Sequence, residues 1–132
     1  MSRHAAIELD FADGVYTFRL GLSEIEELER KRDLSIFEIV ERLRVRQCRL
    51  QDISEVIRIG LIGGGMVPVD AMALVKRYVD ERPLDESRDV AYGIGLAALM
   101  RVHTNEVESP PGEAKAARSK GSTSPQSGAA PR

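Results

Sequence analysis

At 132 residues and 42% hydrophobic content, the chain is one domain's worth of material. Its formal charge of −2, from 19 basic and 21 acidic residues mixed along its length, argues against a nucleic-acid binder that relies on a broad basic face. A single cysteine, Cys48, excludes an intramolecular disulfide and points to a reducing compartment, and no apolar run approaches the ~18 residues of a membrane span.

The N-terminal Met-Ser-Arg-His leads into a strand-like pattern and not into a signal-peptide apolar region, so a cytoplasmic protein is expected. Residues 7–20 read as a β-hairpin. Ile7, Leu9 and Phe11 alternate with Glu8 and Asp10, and Val15, Phe18 and Leu20 follow. Asp13-Gly14 supplies the turn, because a tight primed turn needs positive φ where glycine is cheap. A two-strand hairpin is barely stable alone in water, so it should lie on helices or meet a partner at its edge.

Ser23-Glu24-Ile25-Glu26 reads as a capping box that opens a helix. Ile25 and Leu28 face inward, Glu24, Glu27 and Arg30 face outward, and the helix stops near Asp33. Ser35-Ile36-Phe37-Glu38 is a second capping box, with Leu34 and Ile39 at the staple positions. Its helix carries Ile36, Val40 and Leu43 on one face, with Phe37 beside them. Ile53, Val56, Ile57, Gly60 and Leu61 then fall at the spacing of a one-sided buried helix. Its start lacks a good cap, since Gln51 fills that slot, so fraying is expected around Arg49-Leu50-Gln51.

Gly63-Gly64-Gly65 ends that helix, and Gly60, Gly63, Gly64 and Gly65 together form a structural hinge between two helical pairs. Pro68 suits the first turn of the next helix, where Met72, Val75 and Val79 form the inner stripe with Tyr78 at its edge. Arg82-Pro83 breaks it. A last helix runs from about Asp85 to Val102, with Val90, Ile94, Ala97 and Met100 or Arg101 inward, and with Gly93 and Ala97 allowing close approach of another helix. After Thr104 the periodicity is lost in Ser, Pro, Gly, Ala and Lys. The reading is an α+β, mostly helical fold: an N-terminal β-hairpin and four to five short helices in a domain spanning residues 1–103, then a disordered tail over 104–132.

Nothing in this pattern names chemistry. The glycine segment follows a helix, whose C-terminal end carries partial negative charge, and it lacks the Lys-Ser or Lys-Thr of a phosphate loop. His4, His103 and Cys48 do not cluster as metal ligands, and Cys48 has no base beside it in sequence. The acidic run from Glu24 to Glu29 suits the first turns of a capped helix. Arg42, Arg44, Arg46 and Arg49 form a basic cluster at a helix end, which is the one feature that would support a small regulatory or nucleic-acid-binding module. No catalysis, cofactor, metal or membrane contact is expected.

The order of motifs resembles a known family. A strand pair turning on Asp13-Gly14 leads into Tyr16-Thr17-Phe18-Arg19-Leu20, followed by Glu26-Glu27-Leu28-Glu29. The run from Asp52-Ile53 through Ile57-Arg58-Ile59 to Gly60-Leu61-Ile62-Gly63-Gly64-Gly65 comes next, and Arg82-Pro83-Leu84 closes the series. Over about residues 5–102 this is similar to the gene transfer agent family proteins, small tail proteins of alphaproteobacterial prophages and gene transfer agents. The resemblance implies a part in building a phage-like tail, as a tail assembly chaperone or as a structural, tube-associated component. A tube subunit is normally built mainly from strands that close into a ring, so a mostly helical chain suits the chaperone better. Such a chaperone would bind the tail tube subunit or the tape-measure protein, with a homo-oligomer as a further arrangement. Leu61, Ile62 and Met66 are its expected partly exposed contacts. A chaperone would be cytoplasmic, a structural component virion-associated.

Overall fold

A computed structural model describes residues 6–101. Residues 104–132, with the expected tail, lie outside the described residues. The described residues form an antiparallel hairpin, β1 (Ile7–Phe11) and β2 (Gly14–Phe18), and five helices: α1 (Leu22–Arg32), α2 (Ile36–Arg44), α3 (Leu50–Gly63), α4 (Pro68–Tyr78) and α5 (Leu84–Met100). None of these helices is long and apolar enough to cross a membrane. The fold is thus mostly helical with one small sheet, as the periodicities predict.

The hairpin turns one residue earlier than expected. Phe11 pairs with Gly14, so Ala12 and Asp13 make the turn and Gly14 opens β2. The positive φ falls on Ala12 (58°), and the Tyr16 hydroxyl donates to the Asp13 carboxylate across the turn. Phe11 and Phe18, 7% and 0% exposed, anchor the hairpin to the core and meet edge to face with ring centroids 6.1 Å apart.

Helix α1 also starts earlier. Its N-cap is Gly21, whose N–H donates to Glu24 Oε1 at 2.9 Å; the reciprocal half of the expected box is missing because Gly21 has no side chain. The predicted Ser23–Glu26 pairing does not form, because Ser23 already lies inside the helix. Helix α2 starts where predicted: Ser35 Oγ accepts from the Glu38 N–H at 3.1 Å. The Glu38 carboxylate does not reach back, and instead takes Arg42 Nη2 at 3.0 Å. The free N–H of Ile36 goes to Glu29 Oε2 of α1 at 2.8 Å. Ile36, Ile39, Val40 and Leu43 are buried and Phe37 is 70% exposed, so Ile39 takes the inner place expected of Phe37.

Helix α3 is the central element, touching the other four helices and β2. Ile53, Val56, Ile57, Gly60 and Leu61 are buried as their spacing predicts, with Ile59 added. Its start is not loose. Asp52, fully buried, accepts from the Arg49 N–H (2.8 Å) and from Arg32 Nε of α1 (2.7 Å), so the cap comes from the third helical residue. In α4 the inner face is Ala71, Val75 and Val79; Met72, expected inside, is 53% exposed. Helix α5 buries Ala91, Ile94, Ala97 and Ala98, while Val90 is only half-buried and Met100 is exposed. Its close approach is at Gly95, where an added Cβ would come within 2.7 Å of Val40 Cγ2, and not at Gly93.

Candidate functional site

The glycine segment is where three elements meet. Strand β2 and the residues after it run across the end of α3, and the Arg19 N–H donates to the Gly60 carbonyl at 2.9 Å. A Cβ on Gly63 would stand 2.0 Å from the Arg19 carbonyl oxygen, and one on Gly64 would stand 2.1 Å from that of Thr17. Both positions therefore need a bare backbone, because main chain presses on main chain. Gly60 has a milder constraint, its Cβ position being 3.2 Å from Ile94 Cγ2.

The helix ends in a full Schellman arrangement. The Met66 N–H donates to the Leu61 carbonyl (2.9 Å) and the Gly65 N–H to that of Ile62 (3.0 Å), with Gly65 at φ +117°. Gly64 N–H points back to the Gly60 carbonyl at 2.9 Å. The amides that a phosphate cradle would need are thus all engaged by α3 carbonyls. Of the expected contact residues, Ile62 and Met66 are half-buried, but Leu61 is 1% exposed and belongs to the core. It sits one turn back from the helix end, on the face turned to the other helices.

The exposed apolar surface lies just downstream. Val67, Val69 and Met72 are 56%, 70% and 53% exposed at the start of α4, opposite its buried Ala71–Val75–Val79 face. Sequence reasoning missed Val67 and Val69 and put Met72 inside. The signal was available in Ala71, since four-residue steps from Ala71 reach Val75 and Val79, whereas Met72 lies one residue out of phase. Phe37 of α2 and Leu96 and Met100 of α5 are further exposed apolar side chains, on two helices that pack on each other. The two helices run antiparallel there: Val40 abuts Gly95, and Arg88 Nη1 donates to the Leu43 carbonyl at 2.7 Å.

The charged clusters are largely self-paired. Arg42 meets Glu38, Arg44 meets Glu41 at 2.6 Å and Arg46 meets Asp85 at 3.2 Å, which leaves little of the basic cluster facing outward unneutralised. The hydrogen bond from Arg44 holds the Glu41 carboxyl below the usual carboxylate range. Of the acidic run, Glu24 and Glu29 serve helix starts as described above. Cys48 is half-buried, and burial pushes its thiol pKa up, the opposite of an activated nucleophile. Among the described residues no group of His, Cys, Asp and Glu is placed to hold a metal ion.

One cavity, of about 330 Å³, opens between the hairpin turn and the α4–α5 junction, with Asp10, Phe11, Tyr78 and Ser87 in its lining. Phe11 and Tyr78 meet edge to face there, 6.5 Å between centroids, and the Arg77 guanidinium lies 5.3 Å from the Tyr78 ring.

A family model described as phage tail tube protein, GTA-gp10, matches residues 4–101. No curated protein and no solved structure matches the chain.

Proposed function

We propose, from the premise that this chain belongs to the phage tail tube protein, GTA-gp10 family, that it acts as a non-enzymatic tail assembly chaperone in the cytoplasm. Its partners are the tail tube subunit or the tape-measure protein, whose apolar surface it covers until polymerisation. The observation that carries this reading is the exposed apolar start of α4, where Val67, Val69 and Met72 face solvent beside a rigidly capped α3. Side chains of this kind on a fixed scaffold form a reversible contact without a large ordering cost.

Two further features support the same reading. The described residues carry a single two-stranded sheet among five helices, a poor basis for a ring closed by strands. Among the described residues β1 pairs only with β2, while the other side of β2 rests on the end of α3, so the outer edge of β1 is where a partner would add a strand. The test is co-expression with the tail tube and tape-measure proteins, followed by mass spectrometry of purified particles. A chaperone forms a soluble complex and is absent from finished particles. Recovery of the chain at many copies per particle would make it a structural component instead.

A further inference from the structure

We infer that the outer edge of β1 takes up an extended segment of a partner protein that carries lysine or arginine at alternate positions. The two-residue turn makes Phe11 and Gly14 the closing hydrogen-bonded pair of the hairpin, and alternation along the ladder gives Leu9–Tyr16 and Ile7–Phe18 the same role. The main-chain N–H and C=O groups of Glu8 and Asp10 therefore point away from β2, and they form no hydrogen bond among the described residues. The opposite edge is closed, because the Arg19 N–H donates to the Gly60 carbonyl and the Thr17 carbonyl abuts Gly64. Coverage of the apolar face is uneven in the same sense. Phe18 of β2 is fully buried, whereas Ile7 opposite it and Leu9 of β1 are only half-buried, so an added strand would cover apolar surface.

The side chains decide which strand fits. Glu8 and Asp10 are exposed, and their cross-strand neighbours on β2 are Thr17 and Val15, so no cation of the hairpin answers them. Charge disfavours a second copy of this chain as the occupant. Any antiparallel overlap of two β1 strands that keeps Ile7, Leu9 and Phe11 inward over more than one pair sets Glu8 or Asp10 of one copy opposite Glu8 or Asp10 of the other. Charged residues on an edge strand hold off like strands in this way. A strand with cations at those positions gains instead from the main-chain bonds and from cross-strand charge pairs. That this strand belongs to a tail protein rests on the proposed function, but the charge preference of the edge does not.

The test is a two-dimensional amide NMR titration of the full chain, with exchange into deuterated water, using capped peptides. One alternates valine with lysine, another valine with glutamate, and a third is the lysine peptide methylated on its lysine backbone nitrogens. The lysine peptide should slow exchange of the Glu8 and Asp10 amides and bind about tenfold more tightly than the glutamate peptide, and E8K/D10K should reverse that order. Equal binding of the methylated peptide overturns the proposal, because charge alone would then suffice. So do Glu8 and Asp10 amides already protected in the chain alone, since its own residues would then occupy the edge, or a second copy if protection rises with protein concentration. If the lysine peptide binds as expected but no tail protein does, the edge preference stands and the assembly reading falls. If tail proteins bind E8K/D10K as tightly as the parent chain, the assembly reading stands and the assignment of their strand to this edge falls.

Discussion

Asp52 shows how much one side chain can carry. It is fully buried, yet it caps α3 through the Arg49 N–H and ties α1 to α3 through Arg32, which is itself only 11% exposed. Removing one member of such a pair leaves the other charge without compensation in a poorly solvated place. D52A is therefore expected to destabilise the fold by about 3 kcal/mol, while D52N, which keeps an oxygen for the Arg49 amide, loses less. Urea unfolding of the two variants separates the cap from the ion pair. Cys48 gives a second residue-scale expectation. Because burial raises its thiol pKa, less thiolate is present at neutral pH than in an unfolded chain. Iodoacetamide should modify Cys48 several times faster in urea than in the folded protein, and equal rates would contradict this.

At the scale of elements, the parts legible in the sequence were those with a repeating pattern. The α3 stripe from Ile53 to Leu61 and the Ser35 cap of α2 could be read directly, because the 3.6-residue period and a side-chain cap are local properties. What could not be read depends on contacts across the chain. Glu29 capping Ile36 and Asp52 capping Arg49 while binding Arg32 both involve groups whose proximity only the fold creates. The hairpin turn was misplaced because Gly14 suggests a positive φ that Ala12 in fact adopts. That gives a paired test: A12G should stabilise the hairpin by about 0.5 kcal/mol, since a left-handed alanine costs more than the added chain entropy of glycine. Gly14 lacks both positive φ and near neighbours, so G14A should change stability by no more than about 0.5 kcal/mol. Gly63 is the opposite case. Its packing against the Arg19 carbonyl means that G63A must push β2 off α3, at about 3 kcal/mol, read by thermal and urea unfolding.

For the whole molecule, the glycine segment is a docking platform: β2 rests on it, α3 ends on it and α4 leaves from it. The rigid junction then fixes the direction of α4, so the residues that follow are displayed in one orientation. Over nine residues the chain thus passes from Leu61, buried in the core, to Val69, which faces solvent and lies on the surface proposed for recognition. Substitutions at the exposed positions should accordingly change binding and leave folding alone. Val69 lies in the first turn of α4, where an added carboxylate suits the helix dipole, and Met72 is more than half exposed. V69D/M72D should keep its unfolding free energy within about 0.5 kcal/mol of that of the parent chain. The same variant should lose tail-protein complex formation by about tenfold or more, because two apolar contacts become charges that must be desolvated. A parallel change at other exposed apolar side chains, F37D/M100D, identifies the surface used: if it abolishes the complex while V69D/M72D does not, recognition belongs to α2 and α5 and the α4 assignment is wrong.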